Sequence, residues 1–123
     1  MKYSLIIPIY NERLVLPKLI KQLYEINLDI QIIIIDDGSN DGTGDLLRKH
    51  YNRFDILQNE KNLGKGASIR RGLNIASSKY IILMDGDLEI DIKSIPSLIR
   101  HYENSINNVL LGIRWKPNHK LPI

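Results

Sequence analysis

The chain has 123 residues, of which 43% are hydrophobic and 25% are charged, which is enough for one hydrophobic core and too little for two. Its formal net charge of +3 suits an anionic small molecule as well as a surface or a nucleic acid, so charge alone excludes none of these partners. The absence of cysteine excludes a disulfide framework and a thiolate metal site.

The N-terminus and the hydropathy of the chain predict a soluble, cytoplasmic protein. Met1 and Lys2 lead directly into a strand-like segment, without the longer apolar region of a secretory signal. No apolar run approaches the roughly 18 residues that a membrane-spanning helix needs. A reducing compartment also suits a chain without cysteine.

Apolar residues recur in runs that alternate between strand and helix periodicity. In chain order the pattern predicts a strand over residues 3–9, a helix over 14–26, a strand over 31–35, a loop over 38–44, a helix over 45–52, a strand over 55–58, a helix over 65–76, a strand over 80–84, a helix over 94–102 and a strand over 109–113. The strongest strand holds four consecutive isoleucines, as expected of a strand covered by helices on both faces of a parallel sheet. The prediction is an α/β domain with a mostly parallel, doubly wound sheet.

Three polar motifs follow predicted strands. They are Pro-Ile-Tyr-Asn-Glu at residues 8–12, Asp-Asp-Gly-Ser at residues 36–39 and Asp-Gly-Asp at residues 85–87. In an open α/β sheet the carboxyl ends of the strands open onto one crevice, where ligands bind. The arrangement therefore predicts a metal-assisted nucleotide site.

In the Asp-Gly-Asp motif one residue separates Asp85 from Asp87, so both carboxylates can face the same side of an extended chain. Such hard oxygen ligands suit Mg²⁺ or Mn²⁺, and Glu89 could supply a third oxygen. An ordinary turn explains the same residues equally well, because Asp and Gly both favour turns.

The adjacent carboxylates of Asp36 and Asp37 close the isoleucine strand, where at least one of them must sit near low-dielectric surroundings. A carboxylate there can accept a hydrogen bond from an N–H of uracil or guanine, or from a ribose hydroxyl, which predicts a nucleoside-binding role. The alternative is a solvated Asx-type turn that leads into the next helix.

A glycine-rich turn at residues 62–67 opens the third predicted helix, where free N–H groups and the Lys65 ammonium would attract phosphate. The turn matches neither the Walker A pattern nor the dinucleotide-binding glycine pattern. A solvated basic helix face, formed by Lys61, Lys65, Arg70 and Arg71, is the alternative. No nucleic-acid partner is expected, because these residues are not interleaved with aromatic ones.

Four segments together resemble the family 2 glycosyltransferases of the GT-A fold. They are residues 8–12, 34–43, 59–66 and 84–89, and they are most similar to the branch of dolichol-phosphate mannosyltransferases and polyprenyl-phosphate glycosyltransferases. The resemblance implies a nucleotide-diphospho-sugar transferase fold and a metal-dependent transferase that inverts the anomeric carbon. Asp-Gly-Asp would then be the DXD motif.

The residue patterns and the resemblance together predict the site residues. They predict nucleotide binding by Pro8, Tyr10, Glu12, Asp36, Asp37, Lys65 and Asp85, metal binding by Asp85, Asp87 and Glu89, and catalysis by Asp85, Asp87 and Arg114. By resemblance, Asp37 would contact the base and Arg114 the diphosphate or the acceptor phosphate. Glu89 stands where this branch more often has Gln, a departure that adds charge.

The implied donor is a UDP- or GDP-linked sugar, and the implied acceptor is a polyprenyl or dolichyl phosphate, favoured over a glycan. Such an acceptor would bring the protein to the cytoplasmic face of the membrane. Relatives continue into acceptor-binding elements beyond the last predicted strand, so we expect a single GT-A-like domain, truncated before that part. Self-association would cover its exposed apolar edges. A non-catalytic nucleotide-sugar-binding module and a transferase acting on a carbohydrate hydroxyl are the alternatives.

Overall fold

The computed structural model describes residues 1–87 and 92–103, along which strands and helices alternate. The elements are β1 (Tyr3–Ile9), α1 (Leu16–Tyr24), β2 (Ile30–Asp36), α2 (Thr43–Arg48), β3 (Asp55–Gln58), α3 (Lys65–Ile75), β4 (Tyr80–Leu83), a 3₁₀ turn (Ile92–Ser94) and α4 (Ile95–Glu103). The strand predicted over residues 109–113 lies outside the described residues, as do Glu89 and Arg114.

The four strands form one sheet in the order β3-β2-β1-β4, and every neighbouring pair is parallel. The predicted parallel α/β sheet is therefore confirmed. All four carboxyl ends lie along one edge, and β1 lies between β2 and β4 in the centre of the sheet. The strand order reverses at β1, so the crevice between the ends of β1 and β4 is the switch point at which such sheets bind ligands.

Helices cover both faces of the sheet, because successive side chains of a strand point to opposite sides. The larger core contains Leu5, Ile7 and Ile34 together with apolar side chains of α1, α2 and α4. The smaller core contains Ile6, Ile33 and Ile35. Helix α3 packs over the second face, against β1 and β2. The isoleucine run thus supplies both cores, as predicted for a doubly wound sheet.

Gly72 allows α3 to pack closely on the sheet. A Cβ atom at this position would lie 2.8 Å from Ile6 Cγ2 and 3.0 Å from Ile35 Cδ1. Any larger residue would therefore push α3 away from β1 and β2. This packing matters for the site because the first residue of α3, Lys65, reaches the crevice at the sheet edge.

The predicted helix over residues 45–52 is shifted in the structure, where α2 spans Thr43–Arg48. The helix begins two residues earlier than predicted. The N–H of its first residue, Thr43, has no partner within the helix and donates a hydrogen bond to Asp41 Oδ1 over 3.0 Å. Pro17 lies in the first turn of α1, as predicted. Within residues 1–87 and 92–103, no helix combines the length and the apolar character that a bilayer crossing requires.

Candidate functional site

A cavity of about 300 Å³ opens at the switch point between β1 and β4. Its volume is at the lower end of the range for small-molecule sites. The lining residues come from the end of β1, from the segment after β4, from the end of β2 and from the start of α3, and they are Pro8, Ile9, Tyr10, Glu12, Asp37, Asn62, Gly64, Lys65, Asp85, Gly86 and Asp87. Most of the residues predicted for the site thus line one cavity, which we call the switch-point cavity.

The loop after β1 is held in place by the loop after β2. The Asn11 N–H donates to Ser39 Oγ over 2.8 Å, and the Asn40 N–H donates to Asn11 Oδ1 over 2.9 Å. The Glu12 N–H donates to Thr43 Oγ1 over 3.1 Å. Asn11 has a φ of 52°, a left-handed conformation that Asn tolerates better than most residues. These contacts fix the backbone that follows Tyr10, whose side chain is 43% exposed.

Asp41 fastens the same two loops together. Its Oδ1 accepts hydrogen bonds from the Thr43 hydroxyl over 2.5 Å and from the Thr43 N–H over 3.0 Å, and its Oδ2 accepts from the Arg13 N–H over 3.2 Å. The hydrogen bond from the Thr43 hydroxyl is the main reason why the pKa of Asp41 lies below its ordinary value of 3.8. The ionised carboxylate is therefore the form that the folded state favours.

We expect Asp41→Asn to lower the free energy of unfolding by about 1 kcal/mol near neutral pH, because the hydrogen bonds from Thr43 and Arg13 lose their charged acceptor. Because the folded pKa is depressed, the stabilisation from Asp41 is present above 3.8 and is lost as pH falls through the lower folded value. Urea unfolding at pH 7 and pH 3 should show the difference between wild type and variant shrinking at the lower pH. A difference that is independent of pH would contradict this role, and Thr43→Val should remove much of the pH dependence.

Asp37 is a buried carboxylate whose oxygens are largely occupied by the chain itself. Oδ1 accepts hydrogen bonds from Asn59 Nδ2 and from the Leu63 N–H, each over 2.8 Å. Oδ2 accepts from the Gly64 N–H over 2.9 Å. A carboxylate offers about four lone-pair positions, so about one position remains for a ligand. Asp37 therefore has two roles: it lines the cavity, and its hydrogen bonds hold the turn before α3 in place.

Asn59 donates a hydrogen bond to Asp37, and Arg71 in turn donates to Asn59. Neither contact was predicted from the sequence. An Arg71 Nη1 donates to Asn59 Oδ1 over 2.5 Å and to the Gln58 carbonyl over 3.1 Å. Asn59 Nδ2 also donates to Ser68 Oγ over 3.0 Å. Asn59 directly follows β3 at the carboxyl edge of the sheet, and this position was the available signal. Arg71 is thus half-buried in a hydrogen-bond network, although a solvated helix face was the alternative prediction.

Asp36 does not line the switch-point cavity. Adjacent residues of a strand point to opposite faces, and Asp36 lines a second cavity of about 560 Å³ together with Arg48, Gln58 and Glu60. Its Oδ1 accepts a hydrogen bond from the Ser39 N–H over 3.0 Å. The predicted pair of nucleotide-binding carboxylates is therefore divided between two cavities, and only Asp37 lies with the other candidate residues.

The acidic pair Asp85 and Asp87 lines the switch-point cavity opposite the start of α3. The ammonium of Lys65 forms an ion pair with Asp85. Gly86 lies between the two carboxylates, and a Cβ atom there would overlap the side chain of Ile9. Glycine therefore lets the turn after β4 approach the end of β1.

Negative charge accumulates in the cavity. The pKa of Glu12 is raised above its ordinary value of 4.5, first by partial burial and then by the charges of Asp87 and Asp41. Such a cluster of carboxylates is an environment in which a bound cation would lower the electrostatic energy.

The chemistry of the acidic pair fits a hard divalent cation. Asp85 and Asp87 provide carboxylate oxygens in the same cavity, and Mg²⁺ or Mn²⁺ commonly takes only one or two protein carboxylates and completes its shell with water and phosphate oxygens. Among residues 1–87 and 92–103, no group of three or more acidic, histidine or cysteine side chains is arranged to hold a metal ion. The third predicted ligand, Glu89, lies outside these ranges.

The sequence profile described as "Glycosyl transferase family 2" matches residues 4–122. Over 128 aligned positions the chain is 31% identical to the dodecaprenyl-phosphate galacturonate synthase of Rhizobium johnstonii, covering 98% of this chain and 37% of that relative. It is 32% identical to the undecaprenyl-phosphate 4-deoxy-4-formamido-L-arabinose transferase of Proteus mirabilis, covering 88% of this chain and 36% of that relative. The chain thus spans little more than a third of the length of these two relatives.

Among solved structures, the fold is similar to that of glucosyl-3-phosphoglycerate synthase from Mycobacterium tuberculosis, in a complex with Mn²⁺, UDP and glucosyl-3-phosphoglycerate. The TM-score is 0.67 with 19% sequence identity, and the match covers 85% of this chain and 40% of that one. This similarity shows a shared fold.

Proposed function

The chain belongs to glycosyl transferase family 2 and has the GT-A fold, and from this premise we propose that it binds a nucleotide-diphosphate sugar in the switch-point cavity. We propose further that the protein transfers the sugar, with inversion, to a polyprenyl phosphate. The observation that carries the proposal is the convergence in one cavity of the β1 end, Asp37, Lys65 and the acidic pair.

The nucleoside would lie against the end of β1. Pro8, Tyr10 and Glu12 line this side of the cavity, and the exposed ring of Tyr10 offers a flat surface for a base. The remaining acceptor position of Asp37 can take one N–H of uracil or guanine. UDP and GDP are therefore both candidate leaving groups.

The diphosphate would lie between α3 and the acidic pair. Lys65 and the positive dipole end of α3 provide positive potential at this end of the cavity. Asp85 and Asp87, with Glu89, would hold Mg²⁺ or Mn²⁺, and Mn²⁺ is the ion in the similar solved structure. When bound, the cation supplies positive charge that stabilises the departing nucleotide diphosphate. Arg114 would add a further positive charge for the diphosphate or the acceptor phosphate.

A polyprenyl phosphate is the favoured acceptor because the two relatives are named for dodecaprenyl phosphate and undecaprenyl phosphate. Its phosphate oxygen is already anionic, so attack on the anomeric carbon requires no general base. An acceptor of this kind would bring the protein to the cytoplasmic surface of the membrane. A carbohydrate hydroxyl would instead require a base, and we assign none.

The proposal is tested by calorimetric titration with UDP, GDP and their sugars, with Mn²⁺ and with EDTA. We expect one nucleotide to bind in the micromolar range and to bind more tightly with Mn²⁺. The absence of binding by every compound would overturn the donor-site assignment. Incubation of the bound donor with polyprenyl phosphate then tests the reaction, because binding without transfer to the lipid would indicate a nucleotide-sugar-binding module instead.

A further inference from the structure

Lys65 lies against Asp85, one of the two carboxylates that we assign to the divalent cation. We infer that Lys65 acts as an internal counter-ion: it occupies Asp85 while the cavity is empty and moves to the diphosphate when a nucleotide binds. Metal binding would then depend on the nucleotide. This inference rests on the function proposed above for the switch-point cavity.

The geometry allows the Lys65 side chain to move while its backbone stays fixed. The preceding residue, Gly64, donates its N–H to Asp37 Oδ2 over 2.9 Å, which holds the start of α3. The Lys65 side chain is 59% exposed, whereas that of Asp85 is only 21% exposed. A lysine ammonium on a flexible four-carbon stem can therefore move from Asp85 to a diphosphate bound between α3 and the acidic pair.

Electrostatics makes the two occupants of Asp85 compete. An ammonium in contact with the carboxylate and a divalent cation coordinated by the same group would bring positive charges close together in a partly buried site. Either the cation binds weakly or Lys65 must leave. In the empty cavity departure is unfavourable, because Lys65 offsets the negative charge of Asp85, Asp87 and Glu12.

A nucleotide diphosphate removes this competition. Its phosphate oxygens offer Lys65 a second anionic partner, and charge-assisted contacts between ammonium and phosphate are strong. The ammonium that competes with the cation for Asp85 is then removed. Thermodynamic linkage is reciprocal. If a bound nucleotide raises the affinity of the protein for the metal, a bound metal must raise its affinity for the nucleotide by the same factor. The expected behaviour is weak metal binding alone and strong mutual reinforcement of metal and nucleotide.

The test compares Lys65→Met with Lys61→Met, a matched loss of one lysine charge from an exposed position in the same turn. Mn²⁺ binding without nucleotide is measured by electron paramagnetic resonance of the free ion, and UDP and GDP binding in EDTA by calorimetry. We expect Lys65→Met to bind Mn²⁺ alone about three- to tenfold more tightly, because one half-exposed ion pair is lost. We expect its affinity for the nucleotide that wild type binds to fall about tenfold. Lys61→Met should change each affinity less than about twofold.

A double-mutant cycle with Asp85→Asn identifies the partner of Lys65. In a protein that already carries Asp85→Asn, Lys65→Met should no longer raise the affinity for Mn²⁺. Lys65→Arg alone keeps the positive charge and should bind Mn²⁺ and the nucleotide like wild type. Unchanged or weaker Mn²⁺ binding by Lys65→Met, or an equal gain in Lys61→Met, would overturn the inference while leaving nucleotide binding by wild type intact. If wild type bound neither a nucleotide nor Mn²⁺, the proposed function would fail together with the inference.

Discussion

Replacement of Asp37 by alanine is expected to weaken nucleotide binding by more than about a hundredfold and to lower the free energy of unfolding by about 2–4 kcal/mol. The side chain lines the switch-point cavity and at the same time accepts hydrogen bonds from Asn59, Leu63 and Gly64. Its removal leaves three donors without their partner and frees the turn that carries Lys65. Calorimetry with the nucleotide that wild type binds and urea unfolding measure the two effects.

Asn59→Ala separates the two roles of Asp37. Asn59 does not line the switch-point cavity but donates to Asp37 Oδ1 and accepts from Arg71. If Asp37 acts by positioning the turn, Asn59→Ala should also weaken nucleotide binding, by about tenfold. If Asp37 acts only by contacting the base, nucleotide affinity should be unchanged although stability falls. With either result, the loss of nucleotide affinity in Asp37→Ala still tests whether Asp37 belongs to the nucleotide site.

Asp36→Asn is the matched control for Asp37, since it removes the charge of the adjacent carboxylate. The structure places Asp36 in the second cavity, so we expect nucleotide affinity to change less than about threefold. A large loss of affinity in Asp36→Asn would contradict the division of the two carboxylates between the cavities. It would restore the original prediction that both bind the nucleotide.

The division of Asp36 and Asp37 shows which part of the site follows from the sequence. The strand-end rule correctly predicts that both carboxylates lie at the carboxyl edge of the sheet. The period of two along a strand also implies that neighbours point to opposite faces, so the same sequence contained the information that separates them. A motif of two adjacent carboxylates at a strand end therefore does not by itself place both side chains in one cavity.

The strands were predicted more accurately than the helix boundaries for a physical reason. The predicted bounds of β1 (residues 3–9) and β3 (residues 55–58) match the structure to the residue, and every residue of β1 is buried, as expected of a central strand covered on both faces. The start of α2 instead coincides with local contacts, in which the N–H and the hydroxyl of Thr43 both donate to Asp41 Oδ1. Local contacts of this kind compete with propensity and shift helix ends.

The hydrogen bonds that join Asp37, Asn59 and Arg71 could not be predicted from local sequence patterns. Asp37 and Asn59 are 22 residues apart, and Asn59 and Arg71 are 12 residues apart. Their contact requires β2, β3 and α3 to be packed in their final positions. Sequence motifs predicted which residues line the cavity, whereas the residues that hold the lining in place became visible only in the folded structure.

Asp87→Asn is expected to abolish the contribution of the divalent cation to nucleotide affinity. Asp87 lines the cavity together with Asp85, and after partial burial its charge is the next cause of the raised pKa of Glu12. Replacing one of the two proposed carboxylate ligands by a neutral amide halves the negative charge that these two residues offer to Mn²⁺, a hard cation that prefers charged oxygen ligands. We expect the ratio of nucleotide affinities with Mn²⁺ and with EDTA to fall to less than about twofold.

The affinity measured in EDTA distinguishes a metal ligand from a general structural residue. It should stay within about threefold of wild type in Asp87→Asn, because the variant does not alter the residues at the end of β1 that we propose as the nucleoside contacts. Glu25→Gln, which removes a carboxylate at the far end of α1, should keep the full effect of Mn²⁺. If Asp87→Asn retained an undiminished dependence on Mn²⁺, the cation would have to bind elsewhere, because a ligand cannot be removed without cost to the ion that it coordinates.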